Sequence, residues 1–281
     1  LVVADNAPFK DAEKLSDKEF LAIKRSDLFP VIFVGAGPGD PDLITVKGQK
    51  ALSDADLIIY AGSLVPEALL TWKKEDAEVL NSASMTLDEI VEKICVAHER
   101  HKKVVRLHTG DPSLYGAILE QMRELDRHGI SYSVIPGVTA AFAAAAAMGM
   151  EYTLPEVTQT LILTRIAGRT PVPESESLEL LAAHQSSMAI YLSIAHVERV
   201  EKILSEHYGN NSLCAVAYKV SHPEERIVFC KIEDLAKTVA EEKLNRQALI
   251  IVGKVVESAN QKSDVIKSRL YDSGFAHGFR Q

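Results

Sequence analysis

The sequence predicts an α/β fold in two domains. Three observations carry the prediction. Short apolar runs alternate with amphipathic stretches from residue 31 to about 150, the order that builds a mostly parallel sheet covered by helices. Three of those runs close in glycine-containing turns that lead toward helices, the places where α/β proteins bind ligands. A stretch at 150–158, GMEYTLPEV, holds Pro155 and lacks helical period, and a second series of strands and helices follows it.

The elements follow in order. Residues 1–30 are expected to form an N-terminal extension, mixed polar and ending in Phe29-Pro30. VIFVGAG (31–37) is a short apolar run closing in glycines, as a buried strand would be. A helix is expected over 42–52 and a second strand at DLIIYAG (56–62). Over 87–101, Leu87, Ile90, Val91, Ile94 and Val96 are spaced for one helix face. VVRLHTG (104–110) predicts a third strand, 114–128 a helix, and SYSVIPG (131–137) a fourth strand. An alanine-rich helix starts at Thr139.

The expected boundary gives a domain over 31–154 and another over 155–257. The second opens with a strand at TLILTR (160–165), a Gly/Pro loop at AGRTPVPE (167–174) and a helix near 176–184. MAIYLS (188–193), a helix at 196–207, CAVAYKV (214–220) and RIVFC (226–230) come next. A helix at 233–244 precedes a closing strand, ALIIVGKVV (248–256), and residues 258–281 read as a polar tail.

Composition narrows the function. A net charge of −8 makes the chain a poor general binder of nucleic acid, since phosphate neutralisation needs a basic face. It leaves room for a local basic pocket. No run reaches the roughly 18 apolar residues of a membrane span. Charges at Asp5, Lys10 and Asp11 stand where a signal peptide would be apolar, so a cytoplasmic location is expected. Cys95, Cys214 and Cys230 are odd in number and widely spaced, which fits reduced thiols rather than a disulfide framework.

The glycine turns test specific ligands. GAGPGD (35–40) is not a nucleotide P-loop, because Lys47-Gly48 stand in the wrong order and Gln49 follows. It is not the dinucleotide fingerprint either, since Asp40 occupies the last glycine position and the second strand ends without an acidic residue. Pro38 also lacks the N–H a pyrophosphate could use. A ligand-free tight turn stays open for this loop. The second loop, Thr109-Gly110-Asp111-Pro112-Ser113-Leu114-Tyr115-Gly116, allows close backbone approach, while Asp111 and Pro112 also suit a helix start. The third, Pro136-Gly137-Val138-Thr139-Ala140, offers Thr139 equally as an N-cap. Three such turns in one α/β half point to a shared ligand cleft.

Together the segments GAGPGDPDLITVKG (35–48), HTGDPSLYGA (108–117), IPGVTA (135–140), LTRIAGRTPVPE (163–174) and ALIIVGKVV (248–256) resemble the tetrapyrrole (corrin/porphyrin) methyltransferases. YAGSLVPE (60–67), HTGDPSLYGAILEQM (108–122) and TQTLILTRIAGRTPVPE (158–174) resemble the branch that methylates C-11 of precorrin-4 or cobalt-precorrin-4 in cobalamin biosynthesis. The likeness covers roughly residues 31–256. It implies the family's two-domain fold, with S-adenosylmethionine in the inter-domain cleft, S-adenosylhomocysteine as product, and a homodimer. Carried across, it implies cofactor contacts at Pro38, Thr109, Gly110, Asp111, Leu114, Tyr115, Thr139, Ala140, Tyr191, Leu192, Ala217, Tyr218 and Ala248.

Such a substrate carries several carboxylates, so cations are sought. Arg165 and Arg169 beside the Gly/Pro loop come first, because guanidinium matches carboxylate bidentately. Lys219, His222 and Arg226 form a second group, and each could equally be a solvated surface cation. Arg106 and His108 alternate on their strand and could share one face. Catalytic roles are sought at Asp111 and Arg165. Asp40, Asp111 and His222 are the candidate bases, and none at all is the alternative. Cys95, His98 and His101 diverge around a helix, so no metal site is read there. Competing readings are a methyltransferase of the same fold acting on another corrin position, a protein or RNA, a non-enzymatic nucleotide-binding module, and an NAD oxidoreductase.

Overall fold

The computed structural model describes residues 29–62 and 64–260. Of the expected extension only Phe29 and Pro30 are described, and of the expected tail only 258–260; the remainder lies outside the described residues. Packing divides the chain into two units. Among the described residues, the first runs up to Ala36 and over Ile44–Gly137, and the second takes Gly37–Leu43 and the residues from Val138 on.

In the first unit, β1 (Val31–Gly35), β2 (Leu57–Tyr60), β3 (Glu78–Asn81), β4 (Val104–His108) and β5 (Tyr132–Ile135) form one sheet. Their order is β3-β2-β4-β1-β5, and every pair is parallel. The helices are α1 (Val46–Asp54), α2 (Leu87–Glu99) and α3 (Ile118–Arg127). Alternate residues of each inner strand enter opposite cores. Val34, Ile58 and Leu107 pack on one face, and Phe33, Ile59 and Val104 on the other. Burial on both faces is what a parallel sheet with helical crossovers demands.

Helix starts follow local chemistry. Thr86 and Glu89 form a reciprocal capping box at α2, with the Thr86 N–H donating to Glu89 Oε2 at 2.7 Å. Ile90, Val91, Ile94 and Ala97 then face the core, where each fully buried aliphatic contributes about 1.5–3 kcal/mol. The helix expected over 42–52 begins later, at Val46, where Thr45 accepts the Gly48 N–H at 3.1 Å; Pro41–Leu43 form only a 3₁₀ turn. The helix expected from 114 begins at Ile118, because Tyr115 and Ala117 take left-handed φ of 57° and 48°.

In the second unit, α4 (Ala140–Met148) precedes β6 (Leu161–Arg165), α5 (Leu178–Ala182), β7 (Ser187–Tyr191) and α6 (Val197–Tyr208). Then come β8 (Leu213–Tyr218), β9 (Arg226–Lys231), α7 (Leu235–Glu241), β10 (Ala248–Val252) and α8 (Lys254–Asn260). The sheet order is β6-β7-β10-β8-β9; β6 and β7 are parallel and the other pairs antiparallel. Helices α5, α6 and α7 cover one face, and α4 with α8 the other.

Two differences from the sequence reading have plain causes. The units divide at Gly137/Val138 rather than at 154/155, because Ala141, Ala143, Ala144 and Ala145 of α4 pack against Ala189, Ala215 and Ile251 of the second sheet. The closing strand ends at Val252. Gly253 turns the chain with φ of 131° against Ser187, and 254–260 is helix. Among the described residues no helix is long and apolar enough to cross a membrane.

Candidate active site

The parallel order of the first sheet puts the ends of β4, β1 and β5 side by side, and each carries a glycine turn. The three turns interlock. A Cβ on Gly137 would stand 2.1 Å from the Gly110 carbonyl oxygen and 2.8 Å from Gly35 Cα. A Cβ on Gly35 would stand 2.5 Å from Gly137 N. Backbone therefore occupies the space that side chains would fill, and the three motifs read from the sequence form one surface.

Asp111 ties that surface together. Its Oδ2 accepts the Gly137 N–H at 2.9 Å, and its Oδ1 accepts the Ser113 N–H at 2.9 Å and the Ser113 hydroxyl. Burial works against its charge, but the bonds from Ser113 and Gly137 outweigh it and hold the carboxyl below its ordinary range. A carboxylate so committed is a weak proton acceptor. Thr109, Gly110 and Leu114 are half-buried beside it, and Tyr115 is exposed with left-handed backbone.

Arg106 and His108 share one strand face as expected, but that face is buried beneath α3. Arg106 donates from Nε to Gln121 Oε1 at 3.0 Å and from Nη1 to the Ile59 carbonyl at 3.1 Å. Burial and the Arg106 charge push the His108 imidazole down to about 3, so it is neutral. Its Nε2 has no hydrogen-bond partner among the described residues.

In the second unit the registers collect the candidates at one end of the sheet. Arg165 pairs with Tyr191, and Tyr218 pairs with both Ala248 and Arg226. Ala217 is buried one place inward. The Tyr191 hydroxyl bonds Thr139 Oγ1 at 2.7 Å and accepts the Ala141 N–H at 2.9 Å. Thr139 is thus the N-cap of α4 by position, while Tyr191 supplies the capping oxygen; Ala140 follows, half-buried. Leu192 is 68% exposed with φ of 52°. An exposed leucine in left-handed backbone costs about 1–2 kcal/mol, and such strain gathers at binding sites.

Arg165 is committed differently from the expectation. Nη1 donates to the Thr170 carbonyl at 3.1 Å and Nη2 to the Pro171 carbonyl at 2.7 Å, so the guanidinium holds the Gly/Pro loop. Arg169, in that loop, is exposed and makes no ion pair among the described residues. Lys219 pairs with Glu224 at 3.4 Å and Arg226 with Glu242 at 2.9 Å. The Arg226 guanidinium stands 5.0 Å from the Tyr218 ring centroid.

Residues 37–43 are bonded to the β8–β9 turn. The Asp40 N–H donates to Ser221 Oγ at 2.9 Å, and Ser221, with φ of 61°, donates its N–H to Glu225 Oε2 at 2.6 Å. The His222 ring fills the space where a Cβ on Gly39 would fall, 2.5 Å from Cδ2. Burial, helped by Lys219, lowers the His222 pKa against the opposing effects of Glu224 and a hydrogen bond to buried Pro38, so the ring is neutral at pH 7. Ser221 belongs to no motif with a chemical signature, and Gln121 stands in the HTGDPSLYGAILEQM segment (108–122) without chemistry that marks it out.

Residues 30–236 match the family model for tetrapyrrole (corrin/porphyrin) methylases. The chain belongs to this family. The methylase is 52% identical to the cobalt-precorrin-4 C(11)-methyltransferase of Methanocaldococcus jannaschii, over 89% of this chain and 96% of that one. It is 48% identical to the precorrin-4 C(11)-methyltransferase of Pseudomonas aeruginosa, over 89% and 98%. Among solved structures, the cobalt-precorrin-4 methyltransferase CbiF matches with a TM-score of 0.80 at 44% identity, covering 82% of this chain and 97% of CbiF. The Thermus thermophilus uroporphyrin-III C-methyltransferase complexed with S-adenosylhomocysteine matches with a TM-score of 0.65 at 26% identity, covering 82% and 94%. The α/β fold of this methylase is the one expected from the alternation of apolar runs and amphipathic stretches.

Proposed function

We propose that this methylase transfers a methyl group from S-adenosylmethionine to C-11 of precorrin-4, with or without cobalt in the ring, as a step of cobalamin biosynthesis. The observation that carries the reading is likeness over nearly their full length to relatives whose names specify that ring carbon. The same reading takes the protein to be a cytoplasmic homodimer that releases S-adenosylhomocysteine, with no nucleic acid or membrane partner.

The chain fits the cofactor. Interlocked turns at Gly35, Gly110 and Gly137 bring main chain rather than side chains to the strand ends, and strained Tyr115 and Leu192 are exposed beside their strand ends. In the first unit the reading assigns Thr109, Gly110, Asp111, Leu114 and Tyr115 to cofactor binding. In the second it assigns Pro38, Thr139, Ala140, Tyr191, Leu192, Ala217, Tyr218 and Ala248. When bound, S-adenosylmethionine supplies a methyl group already activated by its sulfonium. The chain's own work is alignment, which contributes about 7–11 kcal/mol where reacting atoms are held about 3–3.5 Å apart.

Arg169 and Lys219 are assigned to the substrate carboxylates; His222, assigned to the same substrate side, is neutral with its N–H on the Pro38 carbonyl and meets the substrate as an acceptor. Exposed ion pairs are worth about 0–1 kcal/mol, so a ring carboxylate can replace Glu224 on Lys219. Arg165 serves by positioning the loop that presents Arg169. With Asp111 committed, Asp40 and His222 are left as proton acceptors near the first loop.

Single-turnover transfer of labelled methyl tests the reading, with precorrin-4, cobalt-precorrin-4 and uroporphyrinogen III as acceptors. Label at C-11 of either precorrin is expected, and the preferred acceptor identifies the cobalt state. Label on uroporphyrinogen III alone, or on another carbon, refutes the substrate while leaving the family intact.

A further inference from the structure

We infer that Arg106 and Gln121 form a buried relay that fixes the end of the 109–117 turn, which makes Gln121 a positioning residue for the cofactor. The inference rests on the reading of that turn as a cofactor-binding element.

The turn needs support from outside itself. Tyr115 and Ala117 are both in left-handed backbone, which is strained for residues that carry a Cβ. Between them, Gly116 lies so close to the Pro112 carbonyl that a Cβ would stand 2.2 Å from its oxygen. Ala117 is the N-cap of α3 and offers no side-chain cap. Its carbonyl accepts the Gln121 Nε2–H at 3.2 Å.

Gln121 is itself fixed from behind. A guanidinium can only donate, so the Arg106 Nε bond at 3.0 Å identifies the facing atom as Oε1 and leaves Nε2 as the donor to Ala117. Arg106 in turn is anchored to the Ile59 carbonyl at 3.1 Å. Both residues are 5% exposed. No hydrogen bond or ion pair joins Arg106 to a carboxylate among the described residues.

The neutral partner is informative. If the only need were to neutralise a buried guanidinium, glutamate would answer it better. A carboxylate, however, only accepts. An amide accepts from Arg106 on one atom and donates to Ala117 with the other, so glutamine alone links the two. The pattern matches a relay that carries the order of β2 and β4 into the strained turn.

Gln121→Glu separates the two demands. It keeps a partner for Arg106 and sets a carboxylate against the Ala117 carbonyl. The expected variant melts at or above the wild-type temperature, binds S-adenosylhomocysteine about tenfold more weakly by calorimetry, and exchanges the amides of 115–118 faster without cofactor. The paired replacement Arg106→Met with Gln121→Met, which removes both polar partners and keeps the shape, is expected to lose affinity likewise and serves if Gln121→Glu does not fold. A folded variant with wild-type affinity and wild-type exchange overturns the relay. If the wild type itself does not bind S-adenosylhomocysteine, the cofactor reading falls, and the exchange rates still decide whether Gln121 holds the turn.

Discussion

Replacing Gly137 by alanine tests whether the three glycine turns form one surface. The added Cβ would meet the Gly110 carbonyl oxygen at 2.1 Å and Gly35 Cα at 2.8 Å. Both are backbone, so no side chain can swing aside. Relief needs the β4 turn to retreat by about 1 Å, which in overpacked sites costs about 1–3 kcal/mol. The retreat also stretches the 2.9 Å bond from the Gly137 N–H to Asp111, a charged hydrogen bond worth about 1.5–3 kcal/mol. Together these predict a loss of roughly 2.5–6 kcal/mol, or roughly 5–24 °C in melting temperature. Gly129→Ala is the control. Its φ is 65° and nothing lies within 4 Å of the new Cβ, so only left-handed strain of about 1–2 kcal/mol applies. Thermal unfolding followed by circular dichroism and calorimetric titration with S-adenosylhomocysteine read the two effects. Gly137→Ala should lose both stability and cofactor affinity, and Gly129→Ala should keep its affinity. A Gly137→Ala protein that melts with the Gly129→Ala control and binds cofactor normally would refute the reasoning.

Three further outcomes are expected. Asp111→Asn sets an amide donor against one of the N–H or O–H groups the carboxylate now accepts, and should cost about 1–3 kcal/mol in chemical denaturation. Because those bonds hold the Asp111 carboxyl below its ordinary value of 3.8, its contribution is present above that value and lost as pH falls below it toward the folded-state value. The acid limb of the stability curve should therefore flatten in the variant, and an unchanged limb would count against the tie. Tyr191→Phe leaves the buried Ala141 N–H at the start of α4 without its acceptor, so a loss of about 1–3 kcal/mol is expected in the melting of the second unit. Arg165→Lys cannot span the Thr170 and Pro171 carbonyls together; KM for the tetrapyrrole should rise about fivefold with little change in melting temperature, and an unchanged KM would detach the loop from substrate binding.

Much of the fold was legible because buried parallel strands are written as unbroken apolar runs. VIFVG, LIIY and VVRLH stand out for that reason. The strand Glu78–Asn81 was not legible, since it holds two apolar residues between charged and polar ones, at the sheet edge. The division at Gly137/Val138 was hidden for another reason. An alanine helix announces close packing but carries no mark of the sheet it packs on, and α4 lies on the second. The glycine turns were readable as a cluster, and the structure adds that three of them touch. What could not be read was the direction of side chains. Asp111 and Arg165 were picked out for chemistry, and both are bonded to loop backbone instead.

That last difference bears on mechanism. Asp111 and Arg165 are the side chains for which a catalytic role was sought, and each is committed to main-chain groups of a turn. Were strong acid–base work the main demand, such groups would be left free and their pKa values brought toward neutrality. Asp111 is shifted the other way. Transfer from an already activated donor asks chiefly for position, and position is what bonds between turns and interlocked glycines provide. The same economy suits the small or apolar residues among those assigned to the cofactor: Gly110, Leu114, Ala140, Leu192, Ala217 and Ala248 have little but backbone to offer. Their identity matters through the shape it allows. Sensitivity to substitution should therefore follow the distances at which a new Cβ meets backbone, more than the charge that is added or removed.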